Sequence, residues 1–444
     1  MDGPVAGPDP SALDASALDR CGLIATRDVR TRGDRIVAVG PDLAAEPGDL
    51  IRDAAGLTML PGFVQGHLHC CQTLFRGLAD DLPLMRWLRE RIWPLEAAHD
   101  PASIRASARL SLAELLRSGT TAIQAIETVR HTEETFAVCE EAGLTAIVGN
   151  CLMDLRGDGV PDGLPASARD SLRISEELCR AHHGRGRLQY AVSPRFVLSC
   201  SDGLARDAAA FAAAGGLRVH THASEHREEI AAVAARFGRS YLRVLDDQGL
   251  LGRHSGLAHC VHLDADERQL LQDSGAAVLH CPSANLKLGS GIAPIAEYAR
   301  RGIRIALGAD GAPCNNRLSA LTELRQAALL QALAAGPGAW PAAAALWAMT
   351  RGGALALGLD DLGSIAVGQR ADLLLFDLRG LDLGAGSPVS QLVYSAAEPE
   401  LRHVVVGGRD AVVDGELRIF DAAAVAAEAR DELGRLLGRA GLAR

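Results

Sequence analysis

From residue 58 onward, apolar runs alternate with amphipathic stretches. The runs are TMLPGFVQGHLH (58–69), TTAIQAI (120–126), LTAIVGNCLM (144–153), RLQYAVSPR (187–195), LRVHTHAS (217–224), SGLAHCVHL (255–263), AAVLHCPSAN (276–285) and IRIALGAD (303–310). Each reads as a buried strand. The segments between them, such as SIRASARLSLAELLRSG (103–119), space apolar residues three and four apart, as amphipathic helices do. Gly119, Gly143, Gly275 and Gly302 stand where a helix must stop before the next strand. Repeated strand–helix units give parallel strands joined by right-handed crossovers. Eight of them predict an α/β fold of the closed (β/α)8 TIM-type barrel kind. The competing arrangement is an open doubly wound sheet. No glycine-rich phosphate loop follows any run, and polar residues close many of them, which favours the barrel.

The 444 residues accommodate a barrel plus a smaller unit. Residues 1–57 contain DRIVAVG among short turns, and residues 361–420 contain ADLLLFDL, HVVVGG and DAVVDGEL. Short strands punctuated by Gly and Asp predict a small β-sandwich domain built from both chain ends. The barrel, residues 58–360, is expected between the two halves, and a C-terminal helix over 421–444. The first twenty residues show no clear opening strand and neither the basic start nor the apolar core of a signal peptide. No apolar run of about 18 residues is present, so a cytoplasmic location is expected. A net charge of -10 argues against nucleic acid or an anionic membrane as partner. The 10 cysteines show no CxxC spacing and read as reduced buried thiols. Lys287 is the chain's single lysine, which removes the GxxxxGK[ST] phosphate loop from consideration.

In a parallel barrel the C-terminal strand ends share one rim, where active sites are built. The first run ends in His67 and His69. The fifth offers His220 and His222, with Glu225 just beyond. The sixth offers His259 and His262, and the eighth ends in Asp310. Residues two apart on a strand point the same way, so His67 and His69 can hold one cation together. Three imidazoles and a carboxylate suit a divalent metal with an open position, zinc first. Spacing alone leaves the choice between His220 and His222 open, and likewise that between His259 and His262. A lone His-x-His is a weak signal. Four strand ends that all offer ligands are hard to obtain from packing, because buried unpaired imidazoles are costly.

The stretches PGFVQGHLHCCQTLFRGLADDL (61–82), HASEHREE (222–229), AHCVHL (258–263), HCPSANLKLGSGIAPI (280–295), ALGADGAPCNN (306–316) and LGSIAVGQRADLLLFD (362–377) span most of the chain. Through them the sequence resembles the amidohydrolase superfamily, and within it the aminohydrolase group. That group includes S-adenosylhomocysteine, methylthioadenosine and 5'-deoxyadenosine deaminases, guanine and 8-oxoguanine deaminases, and triazine hydrolases. The resemblance implies His67, His69, His222 and Asp310 as metal ligands, with Glu225, His259 and Asp310 as catalytic residues. His220 and His262 then become supporting residues, and His280 lies near the site without binding metal. Binuclear members bridge two metals through a carboxylated lysine at the end of strand 4. Here that run ends in Ser193-Pro194-Arg195 and the only lysine is Lys287, so one divalent metal per chain is expected, zinc first and ferrous iron second. The implied chemistry has Asp310 take a proton from metal-activated water and Glu225 protonate the ring nitrogen beside the attacked carbon. His259 steadies the attacking oxygen, and ammonia leaves.

The substrate-binding residues speak less uniformly. Gln72 and Arg195 match positions that hold the purine in guanine deaminases, and Arg195 can donate two hydrogen bonds to a ring carbonyl and nitrogen. Glu96 matches a position where nucleoside deaminases bind ribose hydroxyls, and Trp87 fits the same pattern. Their bland readings are a helix ion pair for Glu96 and a core side chain for Trp87. Nucleoside deaminases often carry His where Arg195 stands. The longer match favours a small heterocyclic substrate of adenine-nucleoside type: 5'-deoxyadenosine, methylthioadenosine or S-adenosylhomocysteine. Guanine or 8-oxoguanine, a triazine-type substrate or an amide are the alternatives on the same constellation. A metal-free structural relative is the non-enzymatic alternative, disfavoured because every ligand position is filled. The resemblance also implies a homodimer or higher homo-oligomer.

Overall fold

The computed structural model describes residues 26–381 and 386–442. The readings made on the N-terminal 25 residues lie outside that range. Eight strands close into one ring: β4 (Phe63–Leu68), β5 (Thr120–Ile126), β6 (Thr145–Gly149), β8 (Leu188–Pro194), β9 (Arg218–Ala223), β10 (Ser255–His259), β11 (Ala277–His280) and β12 (Arg304–Leu307). All pairings around the ring are parallel, and β12 returns to β4. β7 (Cys151–Leu152) adds two residues beside the end of β8. The chain is a closed (β/α)8 barrel, as its strand–helix rhythm predicts.

Inside the ring, small side chains fill the space: Val64, Ala122, Ala191, Ala258, Ala277 and Ala306 pack with Leu279. Ala354, Ala356 and Leu357 join the same cluster. The outer faces of the strands pack under the helices, through Phe63, Ile123, Val148 and Val192 among others. Helix boundaries follow local chemistry. Asp100 accepts from the Ser103 backbone N–H and opens the helix Pro101–Arg117. Gly143, at φ 71°, ends the helix Thr132–Ala142 in a conformation that costs other residues a Cβ clash.

The run 58–69 is not one strand, which corrects the sequence reading. β3 (Thr58–Pro61) pairs antiparallel with β13 (Leu373–Phe376), and the chain enters the barrel only after Gly62. A Cβ at Gly62 would lie 2.0 Å from Thr121 Oγ1, so the crossing between the two sheets is too tight for a side chain. The small sheet runs in the order β16 (Glu416–Leu417), β15 (Arg409–Val413), β14 (Leu401–Val406), β13, β3. The hairpin β1 (Asp28–Arg32) and β2 (Arg35–Gly40) meets it through backbone bonds between Ile36 and both Gln369 and Gly368. Ile36 packs there against Ala371, Leu373 and Val405. Both ends of the chain therefore contribute antiparallel strands beside the barrel. The helix Ala422–Arg439 lies along Pro101–Arg117, with Arg109 Nη1 3.3 Å from Glu428 and Arg439 Nε donating to Ala98 O at 2.7 Å. No helix among the described residues is long and apolar enough to cross a membrane.

Candidate active site

The rim gathers His67, His69, His222, His259, Glu225 and Asp310 into one nest. The rings of His67 and His69 are 4.8 Å apart, and those of His67 and His222 also 4.8 Å. A register shift in β4 between Gln65 and Leu68 makes this work. Val64 points into the barrel core and Phe63 outward; strict alternation would send His67 outward. The bulge turns His67 inward, and His69 follows two residues later. Asp310 lies beyond β12, at φ 65°, where its N–H donates to His67 O at 3.0 Å. The ligand-bearing strand ends thus brace one another.

Proton positions can be assigned from the partners. His69 Nδ1–H donates to Ile126 O at 2.7 Å, and His222 Nδ1–H donates to Arg195 O at 2.6 Å. Both Nε2 atoms therefore carry free lone pairs, yet they face each other at 3.1 Å. His259 Nδ1 sits 2.9 Å from Asn285 Oδ1, which leaves its Nε2 unprotonated as well. The Nε2 atoms of His67 and His259 are buried with no hydrogen-bond partner. Asp310 Oδ1 lies 3.4 Å from His67 Nε2 and 3.3 Å from His69 Nε2. Lone pairs and carboxylate oxygens converging without a donor repel one another unless a cation lies among them. The donor set fits a divalent metal. Burial pushes the imidazole pKa values down, His69 to about 4, so the rings are neutral and free to ligate at neutral pH.

Glu225 follows β9 and reaches within 3.5 Å of His259 Nε2. Burial, reinforced by Asp310, pushes its pKa up to about 8, against the opposing hydrogen bond from Ser290. It carries a proton at neutral pH. The two histidine pairs are also separated. His220 lies behind His67, its Nε2 2.8 Å from His67 Nδ1, while His222 enters the nest. His262 turns away and donates from Nε2 to Ser290 O at 2.6 Å, while His259 faces Glu225 and Asp310. His280 is buried with both ring nitrogens unpartnered, and burial followed by His259 lowers it to about 3.

A cleft of about 400 Å³ opens over the nest. Gln72, Trp87, Arg195 and Phe196 line it together with Leu84, Leu88 and Leu288. Trp87 Nε1 and Gln72 Oε1 are buried without partners. Glu96 does not line this cleft. Its carboxylate accepts from Gln72 Nε2 at 2.8 Å and from Arg195 Nη1 at 2.5 Å and Nη2 at 3.2 Å. Burial would lower the Arg195 pKa, but Glu96 outweighs it and keeps the guanidinium charged. Of the residues read as substrate contacts, Gln72, Trp87 and Arg195 reach the cleft, and Glu96 buttresses Gln72 and Arg195 from behind.

Several supporting residues escaped the sequence reading. Glu127, just after β5, accepts the Cys70 and Cys71 backbone N–H groups at 3.0 and 2.8 Å. Its place at a strand end was the available signal. The thiols of these two adjacent cysteines are buried and held far above their ordinary pKa, chiefly by desolvation. Gln65 accepts from Ala309 N at 2.9 Å, and Asn315 donates to Ala309 O at 2.8 Å, clamping the residue before Asp310. No spacing rule points to such contacts.

A parallel barrel with neutral imidazoles and two carboxyls converging at its C-terminal rim places the chain among barrel enzymes built for a divalent metal. Residues 58–410 match the model of the amidohydrolase family, and the chain belongs to that family. It is 40% identical over 408 residues to a 5-methylthioadenosine/S-adenosylhomocysteine deaminase of Halobacterium salinarum, covering 91% of this chain and 92% of that one. It is 36% identical to a 5'-deoxyadenosine deaminase of Methanothermobacter thermautotrophicus, over 93% and 94% of the two chains. Among solved structures, an adenosine deaminase from Xanthomonas campestris with bound zinc superposes with a TM-score of 0.85 at 32% identity, covering 94% of each chain.

Proposed function

We propose that the protein is a hydrolytic deaminase that replaces the amino group of a purine-type heterocycle by oxygen and releases ammonia. The substrate is an adenine nucleoside such as 5'-deoxyadenosine, methylthioadenosine or S-adenosylhomocysteine. The observation that carries this reading is the meeting of a protonated carboxyl, Glu225, with His259 and Asp310 at the floor of one cleft. The names of the relatives, 36% to 40% identical over most of the chain, support the substrate class.

His67, His69, His222 and Asp310 would hold one divalent ion, with zinc favoured by the zinc-bound relative. Such an ion supplies Lewis acidity, which makes water a competent nucleophile at neutral pH. The single-ion reading is supported by Lys287, whose Nζ is spent on Pro313 O at 2.9 Å and Asn316 at 3.0 Å. Asp310 Oδ2 takes a proton from the attacking water. Glu225 Oε2 gives its proton to the ring nitrogen beside the attacked carbon, drawing electron density from that carbon. His259, fixed by Asn285, steadies charge on the oxygen as it adds. The C–N bond then breaks, the amino group leaves as ammonia with the proton that Asp310 accepted, and the added hydroxyl gives its remaining proton to Glu225, which leaves a ring carbonyl and restores the acid. Gln72, Arg195 and Trp87 orient the heterocycle, and the lining leucines shed water.

One observation favours a second substrate. Both oxygens of Glu96 are occupied, and charged Arg195 faces the cleft, which suits a ring carbonyl such as that of guanine. Ammonia release from 5'-deoxyadenosine, methylthioadenosine, S-adenosylhomocysteine, guanine and 8-oxoguanine decides between them. The highest kcat/KM is expected on a nucleoside. A preference for guanine moves the assignment to oxopurines, and no release from any of them removes the deaminase reading. Assembly into a homodimer or higher homo-oligomer, carried from the family resemblance, and a cytoplasmic location belong to the same proposal, and light scattering and cell fractionation test them.

A further inference from the structure

Glu229 has no place in the chemistry above, yet it is one of the most deeply buried acids in the molecule. It is 1% exposed and borders the active-site cleft. No described cation pairs with it. Its Oε1 accepts the backbone N–H of Glu225 at 2.7 Å, and the His226 N–H also reaches its carboxylate. Glu229 stands in the first turn of the helix Arg227–Phe237, where a carboxylate that reaches back to the preceding backbone is an ordinary helix cap. The bland reading is therefore a cap that affects only stability.

The backbone being capped is unusual, however. Ser224, directly before Glu225, is at φ 50°, a conformation L-residues rarely adopt. The neighbouring strand end is similar, with His259 at φ 73° and Cys260 at φ 48°. These two turns are tied together. Cys260 N–H donates to Ala223 O at 2.9 Å, while the Val261 and His262 N–H groups donate to Ser224 O at 3.0 and 3.1 Å. Ser290 Oγ donates to Glu225 Oε1 at 3.2 Å, and its own carbonyl accepts from His262. Glu225 thus has a hydroxyl holding its side chain and one acceptor, Glu229, holding its N–H. Removing that acceptor frees the turn that aims Glu225 at His259.

We propose that Glu229 is a positioning residue that locks the Ser224–Glu225 turn and so sets the geometry between the Glu225 carboxyl and His259. This rests on the reading of Glu225 as the acid of the reaction. The requirement is an acceptor oxygen at the Oε1 position. Gln supplies one and Ala does not.

The test compares wild type, Glu229→Ala and Glu229→Gln as metal-loaded full-length enzymes. Glu229→Ala is expected to lower kcat on the order of 100-fold, the cost of about 1 Å of misplacement, with KM changed less than about threefold. Glu229→Gln is expected to recover most of that loss. Amide hydrogen exchange over residues 223–229 is expected to accelerate in Glu229→Ala and to stay near wild type in Glu229→Gln. If Glu229→Ala does not fold, Glu229→Asp, one methylene short of the turn, takes its place with the same expected split. Lower thermal stability with kcat intact makes Glu229 a cap only and overturns the proposal. Equal loss of kcat in Ala and Gln variants overturns it too, since charge would then matter rather than the acceptor. Turnover by wild type reports on the deaminase reading. The exchange measurement reports on the lock even if that reading fails.

Discussion

The site depends on which ring nitrogen carries each proton. His69 and His222 each spend Nδ1–H on a backbone carbonyl, so their Nε2 lone pairs have no choice but to meet. Glu225 is the complement: a carboxyl kept protonated by burial where a proton must be delivered. Glu225→Gln keeps the shape and removes the transferable proton. It is expected to lower kcat by at least about 100-fold, the usual scale for a general acid. Metal content by elemental analysis is expected to stay at one ion per chain. A Glu225→Gln enzyme with near-normal kcat would assign the proton transfer elsewhere. His67, His69, His222, Glu225, His259 and Asp310 were legible in the sequence because strand ends in a parallel barrel share one rim, and the family resemblance chose His222 over His220 and His259 over His262. The role of Glu96 was not. Its carboxylate is claimed by Gln72 and Arg195, which lie 24 and 99 residues away in the chain, and no local pattern records that contact.

At the level of elements, β4 and β12 decide whether the nest forms. The bulge in β4 turns His67 inward, and Asp310 reaches it only because the chain beyond β12 passes very close. A Cβ at Gly308 would lie 2.6 Å from His67 O and 2.7 Å from His67 N. Those are backbone atoms held in the sheet, so neither side can yield cheaply. Gly308→Ala is expected to destabilise the protein by about 1–3 kcal/mol, the typical cost of overpacking. It is also expected to loosen metal retention, because the atoms displaced belong to a ligand residue. Thermal unfolding with and without added zinc checks both, and an unchanged melting curve would mean that the strand end yields freely. The eight strand–helix units follow from hydrophobic periodicity. The bulge does not, since alternation is preserved on either side of it and only the pairing partner reveals the extra residue.

For the whole molecule, the joint between barrel and small sheet carries a buried ion pair. Arg187, just before β8, meets Asp372, just before β13, and Asp372 also accepts the Gly407 N–H at 2.7 Å. Asp372 is 3% exposed, so its loss would strand the guanidinium in a dry joint. Asp372→Ala is expected to cost about 3–5 kcal/mol, the range for breaking one side of a buried pair. Chemical denaturation measures it, and a loss below about 1 kcal/mol would mean that water reaches the joint. The same joint explains why 58–69 misreads as a single strand. Both halves are apolar and extended, and they differ only in which sheet receives them.

Periodicity, glycine stops and the residue types at strand ends determined the barrel, its rim and the identity of the residues that converge there. These are properties of short windows, because burial on one face or both imposes its pattern every two residues in a strand and every three to four in a helix. The tertiary structure alone decided the inward turn of His67, the pairing of Glu96 with Arg195, and the clamp of Glu229 on the turn before it. Each depends on a neighbour brought close by folding, or on a departure from regular backbone, and neither leaves a periodic trace in the chain.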